Sequence, residues 1–166
     1  MRRDLEWQNL DRRGTNRHFF RCCGTNVRNI SSSPNRLPGR FKFYNDSLGH
    51  DVGDEILIEF GKRLCQKVRN GLVGRFGGDE FIVILPHIKN TERVEHAVLE
   101  IVSALKTPTK AGGVDVSLSP SIGISLYPKD GTSFDELIRH ADIAMYKAKK
   151  SARSYCFFQE DRAFLR

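Results

Sequence analysis

Cysteine is scarce and unpatterned in this 166-residue chain. Cys22 and Cys23 are adjacent, Cys65 and Cys156 stand alone, and no Cys-x-x-Cys pair exists. The five histidines (His18, His50, His87, His96, His140) fall at no complementary spacing. Those absences argue against structural zinc and leave thiols suited to a reducing compartment. No apolar run approaches the ~20 residues that span a bilayer, and Met1–Leu10 is too polar for a signal peptide. A soluble cytoplasmic protein with no membrane segment is the expectation. Lysine is missing from residues 1–40, where nine arginines and three acids give a net of +6. The whole chain carries +7, so residues 41–166, with 18 basic and 17 acidic side chains, are near neutral. A basic chain ordinarily implies a polyanion partner. Here the charge belongs to one segment, and the near-neutral body has no basic and aromatic stripe, so no nucleic acid is expected.

What is present from Phe41 onward is an alternation of helices and strands. Asp54–Val68 carries Ile56, Leu57, Phe60, Leu64, Cys65 and Val68 on one helical face. Leu72–Phe76 and Phe81–Leu85 read as strands joined by a tight turn at Gly77-Gly78-Asp79-Glu80. Asn90 or Thr91 caps a helix with the stripe Val94, Ala97, Val98, Ile101 and Leu105. Val114–Tyr127 alternates and is interrupted near Pro120, as a hairpin or bent strand pair does. Ser133–Glu136 is a capping box opening a helix through Ala148, and Tyr155–Phe158 closes the pattern as a strand. The order predicts an α+β fold with a mostly antiparallel central sheet flanked by helices. Residues 1–40 lack this period, and Ser31-Ser-Ser-Pro-Asn35 reads as a breaker of any element. Yet the sheet needs a strand just before Phe41.

Chemistry gathers at three places. In Arg75-Phe-Gly-Gly-Asp-Glu-Phe81, two carboxylates sit on a glycine turn. Such a turn suits either a Mg²⁺ and phosphate site or a solvated hairpin tip. Phe41–Asp54 is dense in amides, acids and glycines. Asn45 and Asp54 have the groups to read a guanine edge, while the plainer alternative is a loop in which Asp51 or Asp54 caps the following helix. Lys147, Lys149, Lys150 and Arg153 end the last helix, where they either complement its dipole or clamp phosphates.

Together these segments resemble the GGDEF domain of diguanylate cyclases. The matching parts are Phe41-Lys-x-x-Asn-Asp…Gly49-His-x-x-Gly-Asp54, Arg75–Phe81, Ser121-Ile-Gly-Ile and Ala141-Asp-x-Ala-Met-Tyr-Lys-Ala-Lys149, in family order. Upstream, Leu10-Asp11 and Asn16-Arg17 are similar to the family's domain start. The resemblance implies a palm-like nucleotidyl cyclase fold. It implies a homodimer in which two bound GTP molecules condense to cyclic di-GMP with Mg²⁺ or Mn²⁺. By motif position, Asn45 and Asp54 would contact guanine, and Gly77 and Gly78 would lie along the nucleotide. Asp79 and Glu80 would be the catalytic and metal-binding carboxylates. Lys42, Lys149 and Arg153 would hold phosphates.

The match is close over residues 41–166, taken as the domain body, and poor over residues 1–40, taken as a degenerate or displaced N-terminal part. The family's Asp-x-Asp falls at Leu37 and Gly39, which offer no carboxylate. That departure makes catalysis by this chain doubtful, and the alternative is an inactive module that binds GTP or a protein partner. Divergence, recombination or a displaced reading frame would each produce so abrupt a boundary. The arginine-only, aperiodic composition fits the displaced frame best. The family's inhibitory Arg-x-x-Asp falls at Val68 and Gly71, so no such site is expected. No sensory domain is expected ahead of the module.

Overall fold

The computed structural model describes residues 28–33, 40–69, 71–86, 88, 90–117 and 119–158. Strand β1 is Arg28–Ser33. Helices α1, Arg40–Leu48, and α2, His50–Lys67, follow. A hairpin of β2, Leu72–Gly77, and β3, Glu80–Ile84, leads to helix α3, Thr91–Lys106. A small hairpin comprises β4, Thr109–Ala111, and β5, Val114–Val116. Strand β6, Ser121–Leu126, helix α4, Phe134–Lys150, and strand β7, Tyr155–Phe157, complete the order.

The main sheet runs β2-β3-β1-β6-β7. Its pairs are antiparallel except β6–β7. The α+β expectation therefore holds. The sheet's centre is β1, inside the segment that read as aperiodic. Ser31–Ser33 lie within the strand, so the breaker reading is corrected there; Pro34 and Asn35 lie outside the described residues. Backbone pairing to neighbours on both sides stabilises a strand whose own sequence has little β propensity. The strand also ends at Ser33 rather than directly before Phe41.

One face of the sheet carries the larger core. Ile56, Leu57, Phe60 and Leu64 of α2 and Val94, Val98, Ile101 and Leu105 of α3 pack with Phe81, Val83, Ile122 and Ile124. These are the stripes their spacing predicts; Ala97 is partly buried against them. The other face carries α4. Ser125 Oγ donates to Leu137 O at 2.8 Å, and a Cβ at Gly123 would fall 1.8 Å from Ala141 O. Small residues on β6 thus meet Ala141, Ala144 and Ala148 on α4, all fully buried, and helix and sheet approach closely. By alternation Ser121 belongs to this row. It is also fully buried, and its Oγ finds no partner.

Three local expectations need correction. Phe41–Leu48 is helical, because Phe41 and Tyr44, three apart, both pack onto the core. Gly49, at φ +90°, separates α1 from α2 and stands at the N-cap, so neither Asp51 nor Asp54 caps the helix. Val114–Tyr127 is not one hairpin: β5 pairs with β4 across Gly112-Gly113, both at positive φ, while β6 joins the main sheet. The predicted caps at Asn90 and Ser133 are present. Asn90 Oδ1 accepts from Arg93 N at 3.1 Å, and Ser133 forms a full capping box with Glu136. The two backbone N–H groups donating to Glu136 hold its carboxyl below the usual carboxylate range.

Candidate functional site

The Arg75–Phe81 segment forms the β2–β3 hairpin. Register pairs Arg75 with Phe81 and Gly77 with Glu80, so Phe76 is the extra residue of a bulge. Only Gly78 and Asp79 make the turn, one step shorter at each side than the expected four-residue turn. Gly78 has φ +50°, a backbone that disfavours side chains. Arg75 Nε donates to Gly78 O at 2.9 Å and fastens the turn, a role its place in the motif did not reveal. A Cβ built at Gly77 or Gly78 meets no atom within 4 Å. The glycines therefore border open space, with half-buried Asp79 and Glu80 beside it.

Strand register brings other candidates to this end of the sheet. Ser32 pairs with Phe81, Ser33 with Ser121, and Ile122 with Tyr155, while Ile122 N donates to Ser154 O. The hairpin carboxylates and Arg153 thus border the same end of the sheet, three strand spacings or about 14 Å apart. Lys149 is half-buried in the last turn of α4 beside Lys147 and Lys150, where positive charge complements the helix C-terminus. A paired set of C-terminal bonds orients Arg153. Its N–H donates to Ala148 O at 2.9 Å and that of Ala152 to Lys149 O at 3.4 Å, with Ala152 at φ 55°. Arg153 lines a groove with Lys147 and with Lys106, a cation that carried no motif signal.

Asn45 lies on α1 and Asp54 on α2. A Cβ at Gly53 would fall 1.8 Å from Asn45 Oδ1, so the missing side chain lets the two helices meet there. Asn45 Oδ1 is buried without a hydrogen-bond partner, and exposed Asp54 follows Gly53 directly. A buried acceptor left unpaired costs about 1–3 kcal/mol, which a ligand donor would recover. Lys42 belongs to the same helix. Leu37 and Gly39 lie outside the described residues, as do Leu10, Asp11, Asn16 and Arg17. Of the two positions matching the inhibitory motif, Val68 is a core residue and Gly71 backs onto β3, where a Cβ would fall 2.4 Å from Ile84 O.

The donor chemistry at the turn suits a hard cation, because Mg²⁺ commonly takes one or two carboxylates and completes its shell with water and substrate phosphates. Among the described residues no group of three His, Cys, Asp or Glu side chains could hold a metal. Asp79 and Glu80 have the donor chemistry for a cation shared with a polyphosphate. Among those residues no helix is long and apolar enough to cross a membrane.

Known proteins resemble this chain in sequence and in fold. The family described as "Diguanylate cyclase, GGDEF domain" matches residues 39–155. Signaling protein YkoW of Bacillus subtilis is 48% identical over 118 residues, 69% of this chain and 15% of that protein. The bifunctional diguanylate cyclase/cyclic di-GMP phosphodiesterase MucR of Pseudomonas aeruginosa is 42% identical over 123 residues, 72% of this chain and 18% of that one. This chain thus spans under a fifth of either relative. The crystal structure of the GGDEF domain of TpbB from Pseudomonas aeruginosa superposes with a TM-score of 0.75 at 32% identity, covering 82% of this chain and 84% of that one. An EAL/GGDEF domain protein from M. capsulatus gives 0.75 at 33% identity, covering 87% and 99%. On motif, register and fold together, the chain belongs to the GGDEF domain family of diguanylate cyclases.

Proposed function

We propose that this chain is a diguanylate cyclase module that binds GTP across the end of the sheet and works as a homodimer. The observation that carries the reading is the Gly77–Glu80 turn. It sets two carboxylates beside open glycine backbone, with Arg153 about 14 Å away across three strands. That span suits a nucleoside triphosphate lying along the sheet end. Asn45 and Asp54 accept from the guanine N–H groups, and the unpaired Asn45 Oδ1 supports that role. The backbone at Gly77 and Gly78 lies against the nucleotide, while Lys42, Lys149 and Arg153 neutralise its phosphates. Asp79 and Glu80 hold Mg²⁺ or Mn²⁺, which supplies charge neutralisation on the phosphates. In the dimer each 3′-hydroxyl attacks the other GTP's α-phosphorus. Two phosphodiester bonds form, two pyrophosphates leave, and the hydroxyl protons pass to solvent by way of Glu80. The reaction is set in the cytoplasm, with no nucleic acid partner.

A second reading is GTP or partner binding without turnover. It is favoured by Leu37 at the family's first metal-ligand position and by the lack of a three-carboxylate group among the described residues. Incubating the purified chain with GTP and Mg²⁺ and resolving products by chromatography separates the two. Cyclic di-GMP that disappears in Asp79→Ala establishes the cyclase. Saturable GTP binding with no product establishes the silent module.

A further inference from the structure

β7 ends the sheet and, among the described strands, is bonded only to β6. Ser154 O accepts from Ile122 N at 2.9 Å, and Phe158 N donates to Ile124 O at 2.7 Å. Ser154, Cys156 and Phe158 thus turn their backbone groups toward β6. By alternation Tyr155 and Phe157 direct theirs to the open edge. The Cys156 thiol reaches Phe157 O at 3.4 Å, a weak bond that leaves the carbonyl able to accept another.

This edge lies in a groove of about 720 Å³ between α3 and the end of α4. Leu99, Val102, Tyr155 and Phe157 give it apolar walls, and Leu99 is 50% exposed although it lies on a helix that otherwise packs well. Lys106, Lys147 and Arg153 line it against a single carboxylate, Glu95, whose Oε1 already accepts from the Tyr155 hydroxyl. A free phosphate would use the cations and leave both the apolar walls and the strand edge idle. An extended polypeptide uses all three, through main-chain pairing, alternate apolar contacts and charge.

We infer that this groove docks an extended segment of a partner protein in which acidic and apolar residues alternate, added as a further strand beside β7. The surface is separate from the hairpin carboxylates. Arg153, which the proposed function assigns to a phosphate, borders it and is left unaltered in the test.

The probe is a fluorescein-labelled hexapeptide alternating glutamate and valine, titrated with the full chain and followed by anisotropy. Saturable binding is expected, weakened about tenfold by Lys106→Glu and similarly by Leu99→Asp. Both sites are exposed, and unchanged melting curves will verify that the variants fold. Two further peptides carry N-methyl groups on alternate amides, one on each edge. One of the two should lose binding about tenfold while the other retains it, which side-chain contacts alone would not produce. No saturable binding, equal binding of a lysine–valine hexapeptide, or indifference to both methylation patterns would each overturn the proposal.

Discussion

Gly77 has a backbone that other residues can adopt, and a Cβ there would meet nothing in the protein. Stability therefore gives no reason for glycine at that position; close approach of a ligand does. Gly77→Ala should leave the urea midpoint unchanged and weaken GTP binding about tenfold, measured by calorimetry. Equal GTP affinity in the variant would count against a nucleotide lying along this turn. Gly53 and Gly123 are glycine for a different reason, since helix backbone or a packed side chain occupies the space a Cβ would need. From sequence all these glycines look alike. The Asp79-Glu80 pair was legible because acids on a glycine turn suggest a cation. The unpaired atoms of Asn45 and Ser121 were not, because satisfaction of a polar atom depends on tertiary neighbours.

At the scale of elements, α4 carries the clearest signals at both ends. Its capping box depends on ionised Glu136, whose folded pKa is lowered by backbone N–H groups of Thr132 and Ser133. A depressed carboxylate stabilises the fold above its unfolded pKa and loses that effect as pH falls through the folded value. Glu136→Gln should accordingly flatten the fall in urea midpoint below about pH 4.5, the ordinary glutamate value. A parallel acid limb in parent and variant would refute the assignment. At the other end Ala152 adopts φ 55°, where a Cβ costs about 1 kcal/mol. Ala152→Gly should raise stability by roughly half that or more, read from denaturant unfolding. The sequence displayed the α4 stripe and cap plainly because four turns repeat the period. Helix α1 was hidden because, among its described side chains, only Phe41 and Tyr44 pack against the core. Strand β4 was hidden because three residues carry no period at all.

For the molecule as a whole, the decisive element is the one with the weakest sequence signal. Strand β1 pairs with β3 on one side and β6 on the other, so its backbone groups serve both halves of the sheet. Ser31→Pro would delete a ladder donor and wedge a ring into that centre. It should cost about 3 kcal/mol or more and broaden or abolish the cooperative melt, followed by circular dichroism. A sharp, unshifted transition would show that β1 is dispensable. The arginine-rich composition of residues 1–40 suggested a segment apart from the fold, because composition and period report local preference. Pairing partners about 50 and 90 residues away supply what local preference lacks. The same connectivity sets an order of events on the ribosome. Arg28 is paired with Leu126 in the finished sheet, so β1 emerges roughly 5–20 s before its second neighbour exists at ordinary elongation rates. During that interval the future centre of the sheet is an unprotected edge, and the chain's yield in a cell depends on what shields it until β6 arrives.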